Sequence, residues 1–114
     1  MIIYGIKNCD SVKKALKYMK ENNLSYEFVD FKSTPVDIKK ISTWLEKTTI
    51  EKLFNSRSTT YRNLKLKELD LDETAKVTWM AKENLLIKRA VIEVEDRVIV
   101  GFNSDEYDKV LKQG

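Results

Sequence analysis

One cysteine stands among 114 residues, in a setting where a thiol can act. Cys9 follows a short apolar run, Ile2-Ile3-Tyr4, that ends at Gly5, and it precedes Asp10-Ser11, a pair suited to opening a helix. A thiol at a helix N-terminus faces unpaired backbone N–H groups and the positive end of the helix dipole, and both favour the thiolate. Lys7 lies two residues before Cys9 and Lys13 four after it, so Lys13 returns to the same face of the first turn and adds positive charge. A lone cysteine near a strand end can also be a small buried hydrophobe. The polar neighbours Asn8 and Asp10-Ser11 argue instead for an exposed, nucleophilic Cys9. Asn8 and Ser11 can donate hydrogen bonds to a bound oxyanion, and equally can serve as turn or cap residues.

Absences narrow the chemistry further. The chain has no histidine and no second thiol, which excludes Ser-His-Asp and Cys-His catalysis and zinc sites built from His and Cys; no metal site is expected. Gly5, Gly101 and Gly114 are the only glycines, so there is no glycine-rich phosphate loop. Three residues after Cys9 stands Val12, where a Cys-x-x-Cys motif would have its second sulfur. Disulfide chemistry must therefore pass through a mixed disulfide with another molecule, such as glutathione or a protein thiol.

The elements that hold Cys9 in place follow from hydrophobic spacing. After Asp10, Val12, Ala15, Leu16 and Met19 recur at helical intervals until Asn22-Asn23, and Tyr26, Phe28 and Asp30-Phe31 read as a second strand. This is a βαβ opening with Cys9 in its first crossover. Thr34 as cap and Pro35 as first residue predict a helix over about 35–47, with Ile38, Ile41, Trp44 and Leu45 on its apolar face. Thr48 or Thr49 caps a short helix through Leu53-Phe54, and 55–63 lacks a period and reads as a loop. Asp70 or Asp72 caps a helix carrying Ala75, Val77, Trp79 and Met80, ended by Asn84. The tryptophans and Met19 and Met80 read as packing residues.

A hairpin follows, Ala90 to Val94 and Arg97 to Val100, turning at Glu95-Asp96; Ser104 with Asp105 and Glu106 then opens a last helix that presents Tyr107, Val110 and Leu111 to the sheet. The order βαβ, helical block, ββα predicts an α/β, thioredoxin-like fold with a four-stranded mixed sheet and a helical insertion between its halves. Residues 1–114 read as a single domain, with 1–32 and 83–114 as the core and 33–82 as an insertion too lightly cored to stand alone. The net charge of +3 is spread in mixed-sign stretches, which argues against direct nucleic-acid binding and for a small anionic ligand. No stretch resembles a signal peptide or a membrane span, and the composition is not that of a disulfide scaffold, so a reducing cytoplasm with no membrane partner is expected.

The stretch Tyr4-Gly5-Ile6-Lys7-Asn8-Cys9-Asp10-Ser11-Val12-Lys13-Lys14-Ala15 resembles the active-site opening of the ArsC/Spx family of arsenate reductase-like proteins, and is most similar to its YffB-type subgroup. Leu53 to Leu64, Leu85-Leu86-Ile87-Lys88-Arg89 and Val100-Gly101-Phe102 are similar to further family segments, so the resemblance spans essentially the whole chain. It implies a thioredoxin-like fold and a Cys9 thiolate that attacks arsenate. It also implies arginines that hold the oxyanion, and glutathione with glutaredoxin, thioredoxin or a similar thiol system to complete reduction. No bound cofactor is implied. Arg89 falls on the family arginine before the third strand. Arg57 lies near the first loop arginine, although a gap-free alignment through Tyr61 puts Asn55 there; Arg62 reads as structural.

Two departures stand out: Val100-Gly101 occupies the place of a third arginine, and Ala90 replaces the cis-proline that shapes the groove beside the thiol. Since non-proline residues rarely adopt cis, a trans Arg89–Ala90 bond is expected, with an altered groove. The resemblance thus implies a single-thiol oxidoreductase acting on a small oxyanion or a glutathione-linked substrate. Two alternatives accompany it: an Spx-like regulator that binds RNA polymerase, and a family member whose thiol no longer reacts.

Overall fold

A computed structural model describes residues 1–112 of the chain, which divides into two compact units: Met1–Asp30 together with the stretch from Arg89 onward, and Phe31–Lys88. The first unit is a mixed four-stranded sheet in the order β2-β1-β3-β4. Its strands are β1 (Ile2–Gly5), β2 (Glu27–Asp30), β3 (Val91–Val94) and β4 (Arg97–Val100). β1 is central, running parallel to β2 in the register Ile3↔Phe28 and antiparallel to β3 in the register Ile3↔Ile92. β3 and β4 form the expected hairpin, Ile92↔Ile99, and Glu95 at its turn takes the left-handed conformation with φ 55°.

Side chains alternate across a strand, so Ile3, Ile92 and Ile99 share one face. Helices α1 (Asp10–Glu21) and α6 (Ser104–Leu111) bring Val12, Ala15, Tyr18, Met19, Tyr107 and Leu111 into the same buried cluster. Tyr18 and Tyr107 meet edge to face with ring centroids 5.2 Å apart, and the Tyr18 hydroxyl donates to Asp108 Oδ1 at 2.6 Å, tying α1 to α6. α6 is capped by Asn103, whose side chain accepts from the Glu106 N–H at 3.0 Å; Ser104, expected as the opening residue, is the first helical position.

The second unit is helical: α2 (Ile38–Leu45), α3 (Ile50–Leu53), α4 (Thr59–Asn63) and α5 (Glu73–Lys82), with 3-10 turns at Leu66–Leu69 and Asn84–Leu86. Trp44, Ile41, Leu53, Leu66, Met80, Leu86 and Ile87 are wholly buried. Thr49 and Asp72 are the caps of α3 and α5, as their residue types suggest. The helix expected from Pro35 begins later, at Ile38, because Asp37 caps it by accepting from the Lys40 N–H at 3.0 Å. Thr34-Pro35-Val36 stays outside the helix since buried Asn84 holds Val36 at both ends: Asn84 Oδ1 accepts from the Val36 N–H at 2.8 Å, and Nδ2 donates to the Val36 carbonyl at 3.1 Å. Within the expected loop over 55–63, Ser58 accepts from the Tyr61 N–H at 3.0 Å and starts α4, a single turn too short to show an apolar period. Among the described residues no helix is long and apolar enough to cross a membrane.

Candidate active site

Cys9 is itself the N-cap of α1. Its backbone is extended (φ −139°, ψ 127°), and its carbonyl accepts the first intrahelical bond, from the Lys13 N–H at 2.9 Å. This geometry leaves the sulfur over the open N–H groups of the first turn. The thiol is partly buried, and burial is the largest single influence on it, pushing its pKa up. Opposing that are the backbone N–H of Val12, a hydrogen bond and the positive charge from the Arg89 guanidinium, and the backbone N–H of Ser11. Together they outweigh burial, and the Cys9 pKa lies below its ordinary value.

Arg89 reaches the sulfur because the sheet places it there. Val91 opens the β3 ladder opposite Tyr4, and the wholly buried Ala90 accepts a hydrogen bond from the Gly101 N–H at 2.8 Å. The Arg89–Ala90 peptide is cis, where the absence of proline had pointed to trans. The trans preference of a non-proline bond is local, and here the surrounding structure overrides it: Ala90 is buried, its carbonyl is held by Gly101, and Val91 is paired with β1.

The expected site residues are thus only partly gathered. The structure brings the Arg89 guanidinium and the Ser11 main-chain N–H to the Cys9 sulfur. Asn8 and Lys13 are exposed beside Cys9 in the chain. Arg57 belongs to the helical unit, where it is exposed and its N–H donates to Asn55 Oδ1 at 3.1 Å. Arg62 lies nearby in sequence with Nη2 at 3.4 Å from Thr59 Oγ1, a local contact within α4. The Val12 and Ser11 N–H groups are first-turn donors of the kind a thiol at a helix start is expected to face, although residue type does not mark which of them reaches the sulfur. Among the described residues no group of three or more His, Cys, Asp or Glu side chains could hold a metal ion.

A thiolate stabilised by helix N–H groups and one guanidinium can attack an electrophilic centre, and the same cation can draw an oxyanion or carboxylate to it. Comparison with known proteins bears on the use of such a site. Residues 4–110 match the ArsC family. A protein of Haemophilus influenzae with no assigned function is 37% identical over 106 residues, covering 92% of this chain and 93% of that one. The solved structure of the YffB (PA3664) protein has a TM-score of 0.90 to this one at 34% identity, covering 96% of this chain and 97% of that chain. The global transcriptional regulator Spx 2 of Bacillus anthracis is 26% identical over 115 residues, covering 97% of this chain and 86% of that protein.

Proposed function

The chain belongs to the ArsC family, whose chemistry is thiol oxidoreduction, and on that premise we propose that it is a single-thiol reductase with Cys9 as nucleophile and Arg89 as anion-binding residue. The observation that carries this reading is the Cys9 sulfur facing both the α1 N–H groups and the Arg89 guanidinium. With arsenate as substrate, the Cys9 thiolate bonds to arsenic and one oxygen leaves as water. An external thiol such as glutathione then attacks the Cys9 sulfur, and the sulfur–arsenic electron pair departs with arsenic as arsenite. A second thiol, from glutathione, glutaredoxin or thioredoxin, attacks the resulting mixed disulfide and restores the thiolate. Two thiols thus supply the two electrons. A glutathione-linked substrate uses the same residues, since Arg89 pairs equally well with a carboxylate. Such a cycle needs a thiol-rich, reducing compartment, the cytoplasm.

The test is the pH dependence of Cys9 alkylation, with Cys9→Ser as blank. The expected result is a pKa below the ordinary ~8.5 that rises in Arg89→Ala, with protection by arsenate or by glutathione naming the substrate. An unshifted pKa with no protection by either would sink the reductase. The match to Spx 2 favours a second reading, a regulator that docks on RNA polymerase; retention of this chain on purified polymerase, unaffected by Cys9→Ser, is the result it requires.

A further inference from the structure

Gly5 is where the strand end and the thiol-bearing helix come closest. A Cβ built on Gly5 would lie 2.5 Å from Val12 Cγ2, nearer than two carbon atoms can approach. Gly5 has no left-handed backbone to explain its presence, so what the position demands is the missing side chain. From this contact we propose that Gly5 is a positioning residue for the Cys9–Arg89 pair, setting how near the first turn of α1 comes to the start of β3.

The inference rests on the reductase reading of Cys9. Both partners are measured from the end of β1. On one side, Tyr4 pairs with Val91, which fixes Arg89 two residues earlier in the chain. On the other, Gly5 receives Val12, which belongs to the same helical turn as the Cys9 cap.

A methyl group at position 5 has few ways to be accommodated. Val12 is wholly buried, and a β-branched side chain in a helix has one strongly preferred rotamer, so turning it aside is opposed. Gly5 is paired with Asp30 of β2, and Tyr4 beside it is paired on both edges of β1, so this strand is held more firmly than a helix end. The first turn of α1 therefore yields, carrying Cys9 away from Arg89 while leaving the N–H groups of its own turn in place.

That division gives the test its discrimination, because Gly5→Ala should remove the influence of Arg89 and leave that of the helix. The measurement is the alkylation pH profile of Cys9 in six proteins: the natural chain, Gly5→Ala, Val12→Ala, Arg89→Ala, Gly5→Ala/Val12→Ala and Gly5→Ala/Arg89→Ala. Gly5→Ala is expected to slow alkylation below the pKa by about threefold to tenfold, as the thiolate fraction falls. Val12→Ala removes the colliding atom, so the Gly5→Ala/Val12→Ala profile should return to that of Val12→Ala. In the Arg89→Ala background Gly5→Ala should add almost nothing, since residues acting through one interaction are not additive. If Gly5→Ala is largely unfolded, the profile is read in trimethylamine N-oxide, which favours the folded state. A folded Gly5→Ala with the natural profile overturns the proposal. An unshifted pKa in the natural chain overturns instead the reductase reading beneath it.

Discussion

The hydrogen bond from Tyr18 to Asp108 makes two titrating groups answerable to each other. Burial and then the Asp108 carboxylate raise the Tyr18 pKa from 10.0 to about 12. The Tyr18 hydroxyl, and to a lesser degree Lys112, lower that of Asp108 below 3.8. A raised tyrosine pKa stabilises the fold below pH 10.0 and ceases to do so as pH climbs towards about 12; a depressed carboxylate pKa stabilises it above 3.8 and ceases as pH falls through the folded value. The advantage of the natural chain over Tyr18→Phe in thermal melting should therefore be greatest between these limits and shrink beyond both. An advantage that does not change with pH would show that the pair is not coupled. None of this was legible in the residue types, since Tyr18 and Asp108 are joined only by the packing of the first helix on the last. The placement of Arg89 beside Cys9 was legible, because a helix start and a strand start are local features and the family pattern marks both.

Among the elements, the segments that followed their own residues were foreseen and those ruled by distant ones were not. Thr49 and Asp72 cap the helices they precede, and the β3–β4 hairpin turns at Glu95 as its flanking alternation requires. The start of α2 differs because Asn84, far along the chain, claims the Val36 backbone, a demand no local pattern in Thr34-Pro35 could express. Asn84 also donates to the Met80 carbonyl at 2.8 Å and so closes α5 as well. Asn84→Ala leaves one N–H and two carbonyls buried without this partner. At roughly 1–3 kcal/mol for each such group, a loss of about 3 kcal/mol or more in unfolding free energy is expected in urea titration. A loss under about 1 kcal/mol would mean that water replaces the amide.

At the scale of the molecule, a single thiol sets the redox repertoire. Oxidation can join Cys9 only to a second molecule, so glutathione disulfide should yield one mixed disulfide per chain and diamide alone only a Cys9–Cys9 dimer, both absent in Cys9→Ser and read by intact mass. Any other disulfide-linked species would contradict this. The topology itself was readable from element order, because βαβ followed by ββα leaves few ways to lay four strands in one sheet. β1 precedes the helical unit in the chain, whereas β3, its antiparallel partner, follows the whole of that unit and is synthesised after it. A nascent chain on the ribosome thus carries Cys9 without Arg89. Until β3 pairs with β1, the Cys9 thiol keeps only the main-chain donors of its own helix and lacks the positive charge that lowers its pKa further.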